Sequence, residues 1–138
     1  MLTKVIWKGK RSFEGTTPSG NIVKMDSPIV SGGEGKAATP MELVASAIGG
    51  CTGVDIVSIM EKKRAELKRF EIEIETERAE TYPKIYTKVS LHYQFFGKNI
   101  KESDVIQAIQ LSLDKYCSVA KMIEKTAEIS YTFEILEE

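Results

Sequence analysis

The segment that most constrains the fold is a long stretch near the middle of the chain, with the sequence MELVASAIGGCTGVDIVSIMEKKRAEL. Its first half is apolar and its end is charged, and it follows Thr39 and Pro40, which are typical of an N-cap and a first helical residue. The stretch therefore predicts a helix that neighbouring elements bury. Its glycines need an explanation, because glycine in a helix interior costs about 1 kcal/mol relative to alanine.

A ridge of small residues on this helix supplies the explanation. Ala45, Gly49 and Gly53 recur at every fourth residue and therefore fall on one side of the predicted helix. Without bulky side chains, that side allows another element to approach closely. We expect a central helix that packs tightly against a second element, and we expect that element to be the second long helix of the chain.

Length and composition narrow the class of protein. The chain has 138 residues, the size of one domain, and we expect a single domain over residues 1–138. A net charge of -1 argues against a nucleic-acid partner. The N-terminal segment turns polar too early for a signal peptide, and we expect no apolar run to approach the roughly 20 residues that cross a bilayer. These features predict a cytoplasmic protein without a membrane partner.

The first third of the chain predicts short strands and turns. Two strand-like segments, KVIWKGKRSFEG and NIVKMD, are joined by a turn at TPSG. The segment SPIVSGGEGKAATP follows as a Gly-rich loop, which we expect to be flexible.

The second half of the chain predicts a hairpin, a helix and a final strand. Strict alternation in FEIEIETER and IYTKVSLHYQF indicates an antiparallel hairpin, with Ile85 among its inward-facing residues. One continuous helix is predicted over KESDVIQAIQLSLDKYCSVAKMIEKTA, with Ser103 or Asp104 as its N-cap, and EISYTFEIL closes the chain as a strand. This order of elements predicts an α+β fold with two buried helices.

The two cysteines of the chain fall on the buried faces of the two predicted helices. Cys51 and Cys117 would meet if those helices packed together, and a disulfide would require Cα atoms within about 7 Å. Two interpretations stay open: both residues are small hydrophobes that pack, or one thiol reacts and the other resolves its oxidised form. Asp55, one turn after Cys51, is expected to accept hydrogen bonds from a neighbouring segment. A single histidine, His92, and the absence of a C-x-x-C pair argue against a metal site.

Two motifs resemble a known protein family. TPMELVASAIGGC and, much later, KYCSVAKMIEKTAEISYTFEI are similar to the OsmC/Ohr family, the osmotically inducible protein C and organic hydroperoxide resistance proteins. The similarity is closest to an OsmC-like subgroup with P-M-E-L and G-G-C motifs, and it covers nearly the whole chain. It implies an intertwined homodimer in which antiparallel sheets wrap around two central helices per chain, with the active sites at the interface.

The resemblance also implies roles for individual residues. Cys51 would be the peroxidatic cysteine and Cys117 the resolving cysteine, and an external dithiol or thiol protein would reduce their disulfide without a bound cofactor. Arg11 is the candidate for the cation that activates the thiol. The reductases have a glutamate directly after the proline, where this chain has Met41, and the nearest acid is Glu42.

The implied function is thiol-dependent reduction of organic hydroperoxides. The alternative, which Met41 favours, is a non-catalytic dimer that binds a small apolar or thiol ligand or senses redox state.

Overall fold

The structure is a computed structural model that describes residues 1–138, which divide into two units, Met1–Val44 and Ala45–Glu138. A sheet of three short antiparallel strands occupies the first unit. Its strands are β1 (Lys4–Trp7), β2 (Phe13–Thr16) and β3 (Ile22–Met25), which pair in that order. The prediction of one strand over KVIWKGKRSFEG is wrong, because Gly9 and Lys10 adopt φ angles of 106° and 46° and turn the chain between β1 and β2. The single domain over residues 1–138 stays a prediction.

One carboxylate fixes the Gly-rich loop that follows β3. Asp26 is only 3% exposed and accepts hydrogen bonds from the backbone N–H groups of Ser27 (2.7 Å), Glu34 (3.3 Å) and Lys36 (3.2 Å). These bonds, with those from Ser27 and Lys36 foremost, hold the pKa of Asp26 below its usual value. A Cβ atom on Gly33 would overlap the carbonyl oxygen of Ser27, so only glycine fits there. The loop expected to be flexible is therefore tied together internally.

Helix α1 (Pro40–Lys62) begins as predicted, with Thr39 as its N-cap. The backbone N–H of Glu42 donates to Thr39 Oγ1 at 3.2 Å, and the backbone N–H of Thr39 donates to Glu42 Oε1 at 2.8 Å, which completes a capping box. The helix ends earlier than predicted, because Arg64 adopts a φ of 60° and the residues from Glu66 onward enter a strand.

A three-stranded mixed sheet carries the core of the second unit. Its strands are β4 (Glu66–Arg78), β5 (Tyr86–Lys98) and β6 (Glu128–Glu137). The predicted hairpin and final strand are confirmed, with Ile72 opposite Tyr93 and Ile74 opposite Leu91 across β4 and β5. The prediction that Ile85 faces inward is wrong, because this residue precedes β5 and is 41% exposed. The expectation of purely antiparallel sheets is also corrected: β6 runs parallel to β5, which the long helical connection between them permits.

The second predicted helix is divided into three pieces. These are α2 (Glu102–Leu111), a π-helical turn (Ser112–Tyr116) and α3 (Ser118–Ile123). Between the last two pieces, Cys117 is extended, with φ of -78° and ψ of 103°. The prediction of one continuous helix is therefore wrong. The predicted cap at Ser103 or Asp104 is also wrong, because α2 begins at Glu102 and Lys101 precedes it.

The small-residue ridge of α1 packs against β4. A Cβ atom on Gly49 would lie 2.6 Å from Ile74 Cδ1, and one on Gly53 would lie 3.1 Å from Ile72 Cδ1. The predicted close approach is confirmed, but the predicted partner, a second helix, was wrong. Alternating residues of a strand point to the same face, so β4 presents Ile72 and Ile74 together to the groove that the glycines leave.

Helix α1 also passes a simple test for membrane-spanning helices. It has 23 residues, and its most apolar window has a mean hydropathy of 1.7, so its length and composition alone would allow it to cross a membrane. The expectation that no apolar run approaches this length was wrong. The core helix of a soluble protein passes the same test, and α1 fully buries Ile48 and Ile56 in the second unit.

Candidate active site

The two cysteines lie next to each other in the second unit, although they are far apart in sequence. Cys51 is half-buried in the middle of α1, and Cys117 is fully buried at the junction between the π-turn and α3. Both are free thiols, and a hydrogen bond joins their side chains. The sequence left open whether the thiols meet, and the structure brings them close enough to interact.

The environment of Cys117 keeps its thiol protonated. Burial has the largest effect, and the hydrogen bond with Cys51 adds to it, so that the pKa of Cys117 rises from 9.0 to about 11. The backbone N–H of Ala120 donates to the Cys117 sulfur at 3.2 Å and opposes the rise. At neutral pH, Cys117 is therefore a neutral thiol with a hydrogen to donate to the Cys51 sulfur.

Ser112, the first residue of the π-turn, contacts both segments that carry the cysteines. Its carbonyl oxygen accepts the backbone N–H of Cys117 at 2.8 Å, the wide hydrogen bond of a π-turn. Its hydroxyl is fully buried and donates to Asp55 Oδ2 at 2.8 Å, with the carbonyl oxygen of Thr52 also 3.5 Å away. The expectation that Asp55 accepts a hydrogen bond from a neighbouring segment is confirmed.

A buried pair of hydroxyls ties α1 to β5 beside Cys51. Tyr93 donates from its hydroxyl to Thr52 Oγ1 at 3.0 Å, and Thr52 in turn donates to the carbonyl oxygen of Gly49 at 3.3 Å. Burial, the largest influence, raises the pKa of Tyr93 to about 12, so this phenol keeps its proton at neutral pH.

The sequence did not predict Thr52, Tyr93 or Ser112 as site residues. One signal for Ser112 was available. Because buried polar groups are almost always hydrogen-bonded, Asp55 on an apolar helix implied a donor on the segment that packs against it.

Arg11 and Glu42, the other two predicted site residues, lie in the first unit. Arg11 follows the turn after β1, donates from Nη1 to the carbonyl oxygen of Lys10 at 3.3 Å and lies beside Gly32. It also lines a cavity of about 340 Å³ within that unit, together with Phe13 and Met25. Glu42 is held in the capping box, and no ion pair joins it to Arg11. The structure thus brings the two cysteines together but does not pair Arg11 with Glu42.

A cavity of about 520 Å³ opens in the second unit beside Asp55, between α1 and the π-turn. Its other walls include Ile59, Lys62, Leu111 and Tyr116. No group of three or more His, Cys, Asp or Glu side chains is arranged to hold a metal ion. The two free thiols are the nucleophilic side chains of this arrangement.

Comparisons with known proteins identify the family of this chain. The family model described as OsmC-like protein matches residues 33–132. Protein YhfA of Escherichia coli (strain K12) is 38% identical over 136 residues, which cover 99% of this chain and 98% of that protein. A crystal structure of a hypothetical protein from Aquifex aeolicus VF5 matches with a TM-score of 0.87 and 33% identity, over 99% of this chain and 96% of the other.

A more distant structure shares the fold. It is an organic hydroperoxide resistance protein OsmC from Legionella pneumophila, with a TM-score of 0.72 and 18% identity over 96% of this chain and 95% of the other. Because the family model matches most of the chain and YhfA matches nearly all of it, the chain belongs to the OsmC-like protein family.

Proposed function

We propose that the protein reduces organic hydroperoxides with electrons from thiols, with Cys51 as the peroxidatic cysteine and Cys117 as the resolving cysteine. The observation that supports this most is the hydrogen-bonded pair of unequal thiols, one half-buried and one fully buried. A peroxidatic thiol must meet the substrate, whereas a resolving thiol needs to meet only its partner. Membership of the OsmC-like family supports the same chemistry.

The proposed reaction has two steps at sulfur. The Cys51 thiolate attacks the terminal oxygen of the hydroperoxide, an S–O bond forms, the O–O bond breaks, and the alkoxide leaves as an alcohol after taking a proton. Cys51 is then a sulfenic acid. The Cys117 sulfur attacks the Cys51 sulfur, an S–S bond forms, and the hydroxide leaves as water with the proton from Cys117. One hydroperoxide and two thiols thus give one alcohol, one water and one disulfide.

An external dithiol or thiol protein is the proposed source of electrons, and no bound cofactor takes part. The reductant attacks the Cys51–Cys117 disulfide and leaves as its own disulfide, which restores both thiols. The raised pKa of Cys117 leaves on this thiol, at neutral pH, the proton that the departing hydroxide takes in the second step.

Arg11 is the cation that we propose to stabilise the Cys51 thiolate, on the basis of the family resemblance. Its guanidinium has one hydrogen bond to a backbone oxygen and so retains donors for a thiolate. Glu42 is proposed as its acidic partner, although the capping box already engages the carboxylate. An Arg11→Ala variant should lose reactivity of Cys51 toward iodoacetamide at neutral pH, and an unchanged rate would exclude Arg11.

The active form is proposed to be a cytoplasmic homodimer that takes a small organic peroxide. Support comes from apolar side chains that a single chain leaves open to water, such as Val54 on α1, which is 68% exposed. The family resemblance implies that the active sites complete themselves at the interface.

A second candidate function is a non-catalytic dimer that binds a small apolar or thiol ligand or senses redox state. The observation that favours it is the start of α1: Met41 stands where the reductases have glutamate, and Glu42 serves the helix cap without an ion pair to Arg11.

The experiment that separates these functions is consumption of cumene hydroperoxide by the purified protein with dihydrolipoamide as reductant. The natural protein should turn over, and Cys51→Ser should not. With one equivalent of hydroperoxide and no reductant, peptide mass spectrometry should find Cys51 linked to Cys117. With an excess of hydroperoxide, Cys117→Ser should accumulate sulfinic acid at Cys51, because each oxidation step of a lone thiol consumes one hydroperoxide. Two free thiols in the natural protein after the first treatment would contradict the reductase function and leave the binding function.

A further inference from the structure

We propose that Asp55 and Ser112 are positioning residues for the thiol pair, and that their hydrogen bond holds Cys117 in place for attack on the Cys51 sulfur. The inference rests on the proposed chemistry of the two cysteines. It gives a role to the Asp55–Ser112 hydrogen bond, which takes no part in the two reaction steps at sulfur.

Two side-chain interactions lie side by side between α1 and the segment that runs from the π-turn to Cys117. Cys51 and Asp55 are four residues apart on α1 and so are neighbours on one helix face. On the opposite segment, Ser112 is tied to Cys117 by the 2.8 Å hydrogen bond of the π-turn. One interaction joins Asp55 to Ser112 at 2.8 Å, and the other joins the two thiols. The Asp55–Ser112 hydrogen bond therefore fixes the segment that holds the Cys117 thiol next to Cys51.

The π-turn makes such an anchor necessary. π-Turns are rare, and the next residue, Cys117, leaves the helical conformation altogether. The segment is thus irregular at Cys117 and in the turn before it, and the buried hydroxyl of Ser112 donates a hydrogen bond from this segment to Asp55 of α1. A bond from a hydroxyl to a carboxylate is stronger than one between neutral groups, which suits a single anchor.

The consequence concerns the second step of the cycle. Two sulfurs held in contact react as if at a very high local concentration, and this advantage falls steeply when one of them is free to move. Without the anchor, the Cys117 sulfur would spend less time in line with the Cys51 sulfur. The oxidised Cys51 would live longer and would proceed more often to sulfinic acid.

The test measures attack by Cys117 without any peroxide. Methyl methanethiosulfonate, added at one equivalent, converts Cys51 to a methyl disulfide and releases methanesulfinic acid. Cys117 then attacks the Cys51 sulfur, forms the Cys51–Cys117 disulfide and expels methanethiol. Intact-mass spectrometry follows the loss of the methylthio group with time, and this rate is the rate of attack by Cys117.

Ser112→Ala and Asp55→Ala should each slow this loss by about tenfold, the scale of one hydrogen bond to a charged group. Asp55→Asn keeps an acceptor oxygen and should restore most of the rate, and the double alanine variant should be no slower than either single one. Ser58→Ala, an exposed serine on the same helix, is the matched control and should close at the natural rate. The first modification of Cys51 should be equally fast in all variants.

Closure at the natural rate in Ser112→Ala would overturn the inference, and so would a natural protein that never expels the methylthio group. If Ser112→Ala fails to fold, the comparison of Asp55→Ala with Asp55→Asn decides in its place, because equal rates in that pair overturn the inference. Failure of the proposed function looks different: the natural protein would close its disulfide in this assay but would not consume cumene hydroperoxide.

Discussion

Cys117 differs from an ordinary cysteine in how hard it is to ionise. Burial first, and the neighbouring Cys51 thiol second, raise its pKa to about 11, so below that pH the neutral thiol dominates. Only the thiolate reacts with alkylating reagents at a useful rate. The two cysteines of one site should therefore be chemically distinguishable.

Iodoacetamide at neutral pH should modify Cys51 and spare Cys117. Labelling of Cys117 should rise only as the pH approaches about 11, because a raised pKa shifts formation of its thiolate to higher pH. Peptide mass spectrometry after timed labelling gives both rates, with Cys51→Ser as the variant that reports Cys117 alone. Equal labelling of the two residues near neutrality would contradict the assignment of Cys117 as the protonated partner.

The contribution of Asp26 to the stability of the first unit depends on pH. The pKa of its carboxylate is lowered by the backbone N–H bonds from Ser27 and Lys36, and by the bond from Glu34, relative to the unfolded chain. The stabilisation is therefore complete above the unfolded pKa of 3.8 and is lost as the pH falls through the lower folded value.

Asp26→Asn should lower the melting temperature at neutral pH, because an amide presents one acceptor and one donor to three N–H groups. The difference from the natural protein should shrink as the pH falls below 3.8. Melting curves followed by circular dichroism across this pH range provide the measurement. A difference that stays constant with pH would show that the charge of Asp26 is not the cause.

At the scale of elements, the packing of α1 on β4 depends on the absence of two Cβ atoms. Gly49 is the tighter position, since an added Cβ would lie 2.6 Å from Ile74 Cδ1. The nearest atom is the end of a flexible side chain, so the cost is a local shift and not a backbone clash. Gly50 has no atom within 4 Å of an added Cβ in the single chain.

Gly49→Ala should destabilise the protein by about 1–3 kcal/mol, the usual cost of overpacking, despite the better helix propensity of alanine. Adding Ile74→Val, which removes the Cδ1 atom, should recover most of that loss. Gly50→Ala is the control and should be neutral or gain up to about 1 kcal/mol. Urea unfolding yields these free energies, and a Gly49→Ala protein as stable as Gly50→Ala would contradict the close approach of α1 to β4.

Sequence patterns predicted the helices and strands whose formation depends on residues near each other in the sequence. Strict alternation identified the hairpin, and Thr39 with Pro40 marked the start of α1. The glycine spacing predicted a close approach but could not name the partner, because the partner strand follows from packing and not from the helix itself.

The break at Cys117 was missed for a related reason. A π-turn inserts one extra residue per turn, so regular helical spacing fails there. As a result, Ser112 is buried and Leu113 is only half-buried. The sequence thus identified both thiols of the site but not the hydrogen bonds of Ser112 and Thr52 that surround them. Those bonds depend on which turns of distant segments face each other.

At the scale of the whole molecule, the first unit exposes apolar side chains that a single chain leaves open to water. All of the buried apolar side chains of the chain belong to the second unit, from Ile48 to Ala127. In the first unit, β1 exposes Val5, Ile6 and Trp7 on both of its faces, with Trp7 64% exposed. Three short strands need a covered apolar face to be stable in water.

The cover that we expect is a second copy of this chain, as the family resemblance implies. Light scattering at micromolar concentration should give the mass of a dimer, since obligate dimers bury more than about 2,000 Å² and stay associated at such concentrations. Ile6→Lys should weaken the dimer and lower the melting temperature, whereas Lys4→Ala, an exposed change on the same strand, should do neither. Because dissociation and unfolding are linked in such dimers, the melting temperature should also rise with protein concentration. A monomeric mass together with a concentration-independent melting temperature would contradict the dimer, and the exposed apolar side chains of β1 would then have to be covered in some other way.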